Sequence, residues 1–358
     1  MDKKTVLMAM SGGVDSSVSA ALLKEQGYNV IGVSMQLYER PESQASTGKT
    51  CCSLTDVLDA GRVAKRLGIP FEVIDLRDRF KELVMDNFLE EYAAGRTPNP
   101  CARCNERIKF GLLLEMADSF GADSLATGHY ARIRRDPDGI YQLLKGLDPG
   151  KDQSYFLFGM SQPQLSRILF PVGELEKPQV RELATRFNLP VAAKKESQEI
   201  CFIPDNDYVG YLEANGIPSS AGDIVTGAGV KVGTHKGIHQ YTVGQRRGLG
   251  IAWEAPLYVT GLDREHSRVI VGPREELRRT GLVAATPTWT SVAPAEAVEL
   301  TCSIRYRQKP VPCRAALLPD GKLRVDFVDP QYGVTPGQAV VLYDGERVVG
   351  GAWIEEGI

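Results

Sequence analysis

The sequence has no long apolar run. Its longest stretches of that kind, TVLMAM and NVIGV, fall far short of the roughly 20 residues that a membrane-spanning helix needs. No small-residue cleavage site follows the basic MDKK start, so no signal peptide is expected, nor a membrane partner, and the chain reads as cytoplasmic. Charge of one sign is not in excess. Lys and Arg number 42 against 45 Asp and Glu, a net −3, so nothing global announces a nucleic-acid partner. Histidine is scarce, four in 358 residues, and His235, His239 and His266 have no metal-site spacing with carboxylates. Cysteine is odd in number, seven. Without a signal peptide, that argues against a disulfide scaffold and for thiols with chemistry or buried structural thiols. No internal repeat is found.

What is present is a globular composition, 43% hydrophobic and 24% charged, in a chain long enough for two or three domains. The first ~200 residues alternate short apolar runs with amphipathic segments, the pattern of an α/β fold with a mainly parallel sheet. Strands are expected at 6–10, 30–35, 71–75 and 123–127, and helices at 16–26, 55–67, 80–92 and 108–120. After about residue 205 a short helix at 208–215 gives way to glycine-rich alternation, with strands expected at 256–261 and 267–271. From about Gly281 short strands are separated by turn signals, including the hairpin pairs Asp320-Gly321 and Asp344-Gly345. The expected fold class is α/β: an N-terminal parallel-sheet nucleotide-binding domain (1–205), a small β-rich central domain (206–278) and a C-terminal β-barrel (279–358).

The strongest motif is Ser11-Gly12-Gly13-Val14-Asp15-Ser16-Ser17, between a strand and a helix. Glycines let backbone approach an anion, and the helix behind offers unpaired N–H groups and a positive dipole end. Ser11, Ser16 and Ser17 can donate hydroxyl hydrogen bonds to phosphate. The loop lacks the Gly-Lys-Ser/Thr of the Walker pattern and the spacing of GxGxxG.

The second feature is Thr97-Pro98-Asn99-Pro100-Cys101-Ala102-Arg103-Cys104-Asn105. Two thiols at that spacing can be a metal pair, a redox pair, or a nucleophile with a neighbour. Cys51 and Cys52 lie in a polar segment, ESQASTGKTCCS, and read as incidental or locally structural, whereas Cys302 and Cys313 read as core thiols of barrel strands. Local basic clusters occur at Arg132–Arg135, Gln245-Arg246-Arg247 and Arg305-Tyr306-Arg307-Gln308-Lys309. Phosphate contacts depend on such local charge, although a solvated surface is the plain alternative for each.

The glycine–serine loop resembles that of the N-type ATP pyrophosphatases (PP-loop enzymes), which release pyrophosphate while adenylylating an acceptor oxygen. Read with TPNPCARCN, ATGHYAR (126–132), KDQSYFL (151–157), SQEICFIP (197–204) and YTVGQRRGLG (241–250), the chain resembles the tRNA-specific 2-thiouridylases from Ser11 to Gln338. That resemblance implies a tRNA substrate, thiolated at the 2-position of the wobble uridine. ATP is then expected on Ala9, Met10, Ser11, Gly12, Gly13, Val14, Asp15 and Ser16, with Met35 and Gly128 near the adenine, and Asp15 helping to organise Mg2+ and pyrophosphate. Cys201 matches the persulfide carrier and Cys104 its partner nucleophile. The tRNA contacts implied are His129, Lys151, Asp152, Gln153, Arg305, Tyr306 and Gln338. A sulfur-donor protein, a cysteine desulfurase or a sulfur-relay carrier, is implied as a further partner.

The chain departs from one version of the family pattern, which has aspartate where Cys101 stands. Cys101 is therefore a candidate proton shuttle. Together Cys101, Cys104 and Cys201 are also candidate ligands of a 4Fe–4S cluster with one open iron, as in some related tRNA thiolases. A structural zinc is a further reading. Competing functions are another adenylylating PP-loop enzyme, amide- or lysidine-forming, and a non-catalytic RNA-binding metalloprotein.

Overall fold

The computed structural model describes residues 3–39, 54–195, 200–203 and 207–358. Cys51, Cys52 and the Glu196, Ser197, Gln198 and Glu199 part of the motif ahead of Cys201 lie outside the described residues.

The N-terminal part begins β1 (Thr5–Ala9), α1 (Val14–Glu25), β2 (Asn29–Gln36), α2 (Leu54–Leu67) and β3 (Phe71–Asp75). It continues with α3 (Pro100–Cys104), β4 (Ser124–Ala126), the hairpin β5 (Ala131–Arg135) and β6 (Tyr141–Lys145), β7 (Ile168–Leu169) and α4 (Lys177–Arg186). The sheet order is β3-β2-β1-β4-β7, with all four pairings parallel. Parallel sheets are covered on both faces, which is why β1 is apolar from Val6 to Ala9. Leu7 and Ala9 face one buried cluster with Val33 and Leu125. Val6 and Met8 face another, which contains Val18 of α1, Val63 of α2 and Val180 of α4.

Two helices differ from the sequence expectation. The expected 80–92 helix is a continuous rod over 77–93, with a wider π-type stretch, Lys81–Met85, between Arg77–Phe80 and Asp86–Ala93. The expected 108–120 helix starts eight residues earlier, at Pro100. It runs on through a π-type segment, Asn105–Leu113, so both thiols of the motif lie on its first turn instead of in a preceding loop. The reason is local. Asn99 Oδ1 accepts the Ala102 N–H at 3.1 Å, and Pro100, at the first helical position, has no N–H to leave unpaired.

The central part is a four-stranded mixed sheet of Gly222–Thr226, Lys231–His235, Tyr258–Asp263 and Arg268–Gly272 around Ile224, Val259, Val269 and Val271. The C-terminal part is a six-stranded antiparallel barrel. Its first strand, Arg278–Trp289, closes on its last, Arg347–Gly357. Closure brings Gly350 so near that a Cβ there would lie 2.3 Å from the Thr288 carbonyl oxygen. Cys302 and Cys313 are buried in the barrel core. The β5–β6 hairpin crosses from the N-terminal part and extends the barrel, pairing Leu143 with Val348 and Leu144 with Arg347. Arg132 of the first basic cluster is spent on this junction, donating to the Lys145 carbonyl at 2.7 Å and to Glu346 at 2.9 Å. Among the described residues no helix is long and apolar enough to cross a membrane.

Candidate active site

After β1 the chain turns to one side of the sheet through β2 and β3, and later to the other through β4 and β7. The carboxyl ends of β1 and β4 therefore flank a topological switch point, where open α/β sheets bind ligands. The Ser11–Ser17 loop leaves β1 there, and the Thr127–Tyr130 segment leaves β4 beside it. The two are in backbone contact: a Cβ on Gly128 would lie 2.6 Å from Ser16 N. Gly12 has φ +69°, and a Cβ there would lie 2.2 Å from the Asp56 carbonyl oxygen. Ala9, Met10 and Val14 are buried, so only their backbones can face a ligand. α1 starts at Val14, two residues earlier than the sequence suggested, which puts Asp15 in its first turn.

The serines divide in role. Ser16 and Ser17 are buried and turn their hydroxyls onto the Gly13 carbonyl, at 3.2 and 2.7 Å. Ser16 Oγ also accepts the Ser11 N–H at 3.2 Å. These two hydroxyls brace the turn in this conformation instead of facing a ligand, and Ser11 is the exposed one. Two lysines that the sequence reading missed supply positive charge. Lys177, first residue of α4, reaches Asp15 Oδ1 at 2.6 Å, and Tyr130 donates its hydroxyl to the same oxygen at 2.8 Å. Lys194 reaches the Gly12 carbonyl at 3.0 Å, Asp56 at 2.6 Å and Asp59 at 2.7 Å. Nothing in the local sequence links either lysine to a loop more than 150 residues away.

The thiol helix α3 lies at the same edge of the sheet. Ala102 packs in the cluster that holds Ala9 and Val33. Cys104 is buried with Leu37 and Leu76, which follow the ends of β2 and β3, and with Phe202 and Ile203. Half-buried Cys201 packs against that same cluster, as does Met35. Fold topology thus unites Cys104 and Cys201 across nearly 100 residues. Cys101 is exposed. Among the described residues no three His, Cys, Asp or Glu side chains form a group able to hold a metal ion. Cys101, Cys104 and Cys201, the expected 4Fe–4S ligands, thus comprise one exposed, one buried and one half-buried thiol.

The run ahead of α3 is held by both other domains. Thr97 donates its N–H to the Pro336 carbonyl at 2.9 Å, and its hydroxyl lies 3.2 Å from that of Thr242. Gln338 donates its amide to the Thr97 and Pro98 carbonyls at 2.9 and 3.1 Å. Asn99 caps α3, and the buried Tyr155 donates its hydroxyl to the Ala339 carbonyl of the barrel at 2.8 Å. Asn99→Ala is expected to cost about 1–2 kcal/mol of stability from the lost cap alone, measured by urea unfolding.

The expected tRNA contacts fall around this junction, though most are engaged within the protein. Asp152 accepts the Gly146 and Ser154 N–H groups, both at 3.0 Å. Gln153 exchanges hydrogen bonds with the Tyr130 backbone, at 2.9 and 3.0 Å. Half-buried Lys151 precedes them. Tyr306 lies with its ring 4.4 Å from that of Phe156. Arg305 is exposed beside Gly333, which itself meets Gly244, the residue just before the second basic cluster. His129 is boxed by Phe110 and Phe170, with Nδ1 2.7 Å from Thr127 Oγ1. Desolvation, helped by Lys109, holds its pKa well below 6.5, so the ring is neutral at physiological pH.

A five-stranded parallel sheet with a Ser-Gly-Gly-x-Asp-Ser loop at its switch point defines a nucleotide-binding α/β enzyme domain of the PP-loop class, here carrying two β domains. Three family models match in chain order: a tRNA methyl transferase HUP domain over residues 4–205, a tRNA methyl transferase PRC-barrel domain over 211–273, and an aminomethyltransferase β-barrel domain over 279–354. A protein of Geobacter metallireducens described as tRNA-specific 2-thiouridylase MnmA is 57% identical, covering 99% of this chain and 97% of its own. Proteins with the same description from Geotalea uraniireducens and Magnetococcus marinus are 53% and 50% identical, covering 99% and 98% of this chain and 96% and 98% of their own. The chain belongs to the tRNA-specific 2-thiouridylase family.

Proposed function

We propose that this protein is a tRNA-uridine 2-sulfurtransferase that converts the wobble uridine of tRNA to 2-thiouridine with ATP. The observation that carries this reading is that Cys104 and Cys201 share one apolar cluster at the edge of the sheet from which the phosphate loop leaves. The description of the matched models speaks of methyl transfer, but two thiols beside a nucleotide loop favour sulfur transfer. The domain bounds that go with it are 1–205, 206–278 and 279–358.

The chemistry runs in two stages. Uridine O2 forms a bond to the α-phosphorus of ATP as the bond to the bridging oxygen breaks. Pyrophosphate takes that electron pair, and the uridine N3 proton goes to solvent. Asp15, with the pyrophosphate oxygens, is the donor set that suits Mg2+, which prefers one or two carboxylates plus substrate phosphates. In the second stage the terminal sulfur of a Cys201 persulfide, loaded by a sulfur-donor protein, bonds C2 while the C2–O bond breaks and AMP departs. The Cys104 thiolate attacks the Cys201 sulfur, freeing the thiocarbonyl product and leaving a disulfide. A dithiol reductant supplies the two electrons that reset it. Cys101, exposed beside Cys104, is the proton shuttle of this scheme. His129, Lys151, Asp152, Gln153, Arg305, Tyr306 and Gln338 border the path of the flipped base and its flanking phosphates, a recognition mode suited to RNA.

The test is thiolation of tRNA by iron-free protein given ATP and a persulfide donor, read by nucleoside mass spectrometry. One sulfur per tRNA and equimolar AMP are expected, and Cys101→Asp should retain the activity. Thiolation that appears only after iron and sulfide are restored, and that Cys101→Asp abolishes, would overturn the persulfide route.

A further inference from the structure

We propose that Phe202 is a positioning residue for sulfur transfer, its ring fixing the turn that presents the Cys201 sulfur to Cys104. The inference rests on the sulfur-transfer reading above and assigns a residue that bears no reactive group.

The described residues 200–203 belong to no strand or helix. They form one turn, closed by the Ile203 N–H donating to the Ile200 carbonyl at 3.0 Å. Cys201 and Phe202 are its two central residues. A single hydrogen bond sets the shape of such a turn but not its place in the molecule. A sulfur that must meet a base carbon and then Cys104 needs a fixed place, because misplacement by about an ångström is worth roughly 100-fold at a reacting centre. A thiol that takes up and hands over sulfur changes its contacts during the reaction, so it cannot be the anchor itself.

Phe202 supplies the anchor. It is only 4% exposed, whereas Cys201 beside it is half-buried. Its ring meets Phe80, Phe88 and Tyr211 edge-on, with centroids 5.7, 5.3 and 5.4 Å away, within the favourable range for aromatic pairs. Phe80 and Phe88 belong to the 77–93 rod and Tyr211 to the helix Tyr208–Ala214, so the socket joins two elements. The rod is shaped to make it. In a regular α-helix, eight residues would set Phe88 about 80° round from Phe80. The wider π-type stretch Lys81–Met85 between them takes back part of that rotation, and both rings reach Phe202. The same apolar cluster holds Leu37 and Leu76 at the edge of the sheet and Cys104 of α3, with Ile200 and Ile203 at the ends of the turn. Anchoring Phe202 in that cluster therefore sets where the sulfur one residue away stands relative to Cys104.

The experiment uses the full-length protein with Phe202→Ala and Phe202→Leu. Three quantities are measured: single-turnover pyrophosphate release, single-turnover thiolation by protein preloaded with persulfide, and the Cys104–Cys201 dithiol–disulfide equilibrium in glutathione buffer, mapped by mass spectrometry. In that exchange glutathione disulfide is reduced to two thiols as the protein disulfide forms. Phe202→Ala is expected to slow thiolation roughly 100-fold while pyrophosphate release stays within threefold of wild type. Its equilibrium constant should fall roughly tenfold, a shift of about 30 mV, because two thiols no longer held together close a disulfide less readily. Phe202→Leu fills part of the socket and should thiolate about tenfold slower than wild type. Thiolation by Phe202→Ala within threefold of wild type would overturn the assignment. So would an equal fall in pyrophosphate release, which would make Phe202 a plain core residue, or an unchanged equilibrium constant. Where the cavity left by alanine brings the melting temperature below that of the assay, Phe202→Leu decides by the same criteria. Wild-type protein that failed to thiolate tRNA would overturn the sulfur-transfer reading instead, and the equilibrium constants would still decide whether Phe202 places Cys201.

Discussion

Cys104→Ser and Cys201→Ser are each expected to lose tRNA thiolation by roughly 10³-fold or more while pyrophosphate release continues within a fewfold of wild type. Loss of a group that bonds covalently removes its whole pathway, and partners that act as a unit lose activity together. The double variant should therefore be no worse than either single one. Serine keeps the size of the side chain, and Cys104 is buried among Leu37, Leu76, Phe80 and Ile108, so its exchange should cost little folding. The described hydrogen bonds of the loop are made by Ser11, Gly13, Ser16 and Ser17 among themselves and by Asp15 and Gly12 to Lys177, Tyr130 and Lys194. Nucleoside mass spectrometry and a pyrophosphate assay on the same samples check both halves. Equal loss of both activities would mean that the thiols serve nucleotide binding instead. Thiolation retained in Cys201→Ser would place the sulfur on another residue. Another adenylylating enzyme, amide- or lysidine-forming, would have no use for either thiol.

Gly12→Ala is expected to weaken ATP binding roughly 100-fold or more, measured by calorimetry. The left-handed φ of +69° costs a residue with a Cβ about 1–2 kcal/mol. The larger effect is steric. The new Cβ would fall 2.2 Å from the Asp56 carbonyl oxygen, a backbone atom that cannot rotate aside. Loop and α2 must separate by about an ångström, and misplacement of that size is worth roughly 100-fold at a reacting centre. Gly27→Ala is the control. Its φ is +88°, but no atom lies within 4 Å of the added Cβ. It should cost about 1 kcal/mol of stability and leave ATP affinity unchanged. If both variants bind ATP alike, the close approach of Gly12 to α2 has no role in the site.

Much of this protein was legible in its sequence. β1 is readable because both faces of a parallel strand are buried, so Val6, Leu7 and Met8 form an unbroken apolar run. The Ser11–Ser17 loop is readable because a close approach of backbone to an anion needs glycines at set positions. Asp344-Gly345 marks its hairpin because Gly345 takes a positive φ. The start of α3 was legible too: Asn99-Pro100 is a cap followed by a first-turn proline, and reading the prolines as loop placed the thiols one element too early.

Tertiary structure alone decided the rest. Lys177 and Lys194 reach the loop only because α4 packs on α1 and the chain after it returns to Gly12. Gln338 meets Thr97 only because the barrel closes against the thiol helix, and the β5–β6 hairpin joins that barrel across 200 residues of chain. Local sequence sets dihedral preferences and the periodicity of burial, which act over a few residues. Which charge meets which carboxylate, and which thiol is buried, depends on packing between elements far apart in the chain, and no local pattern encodes that.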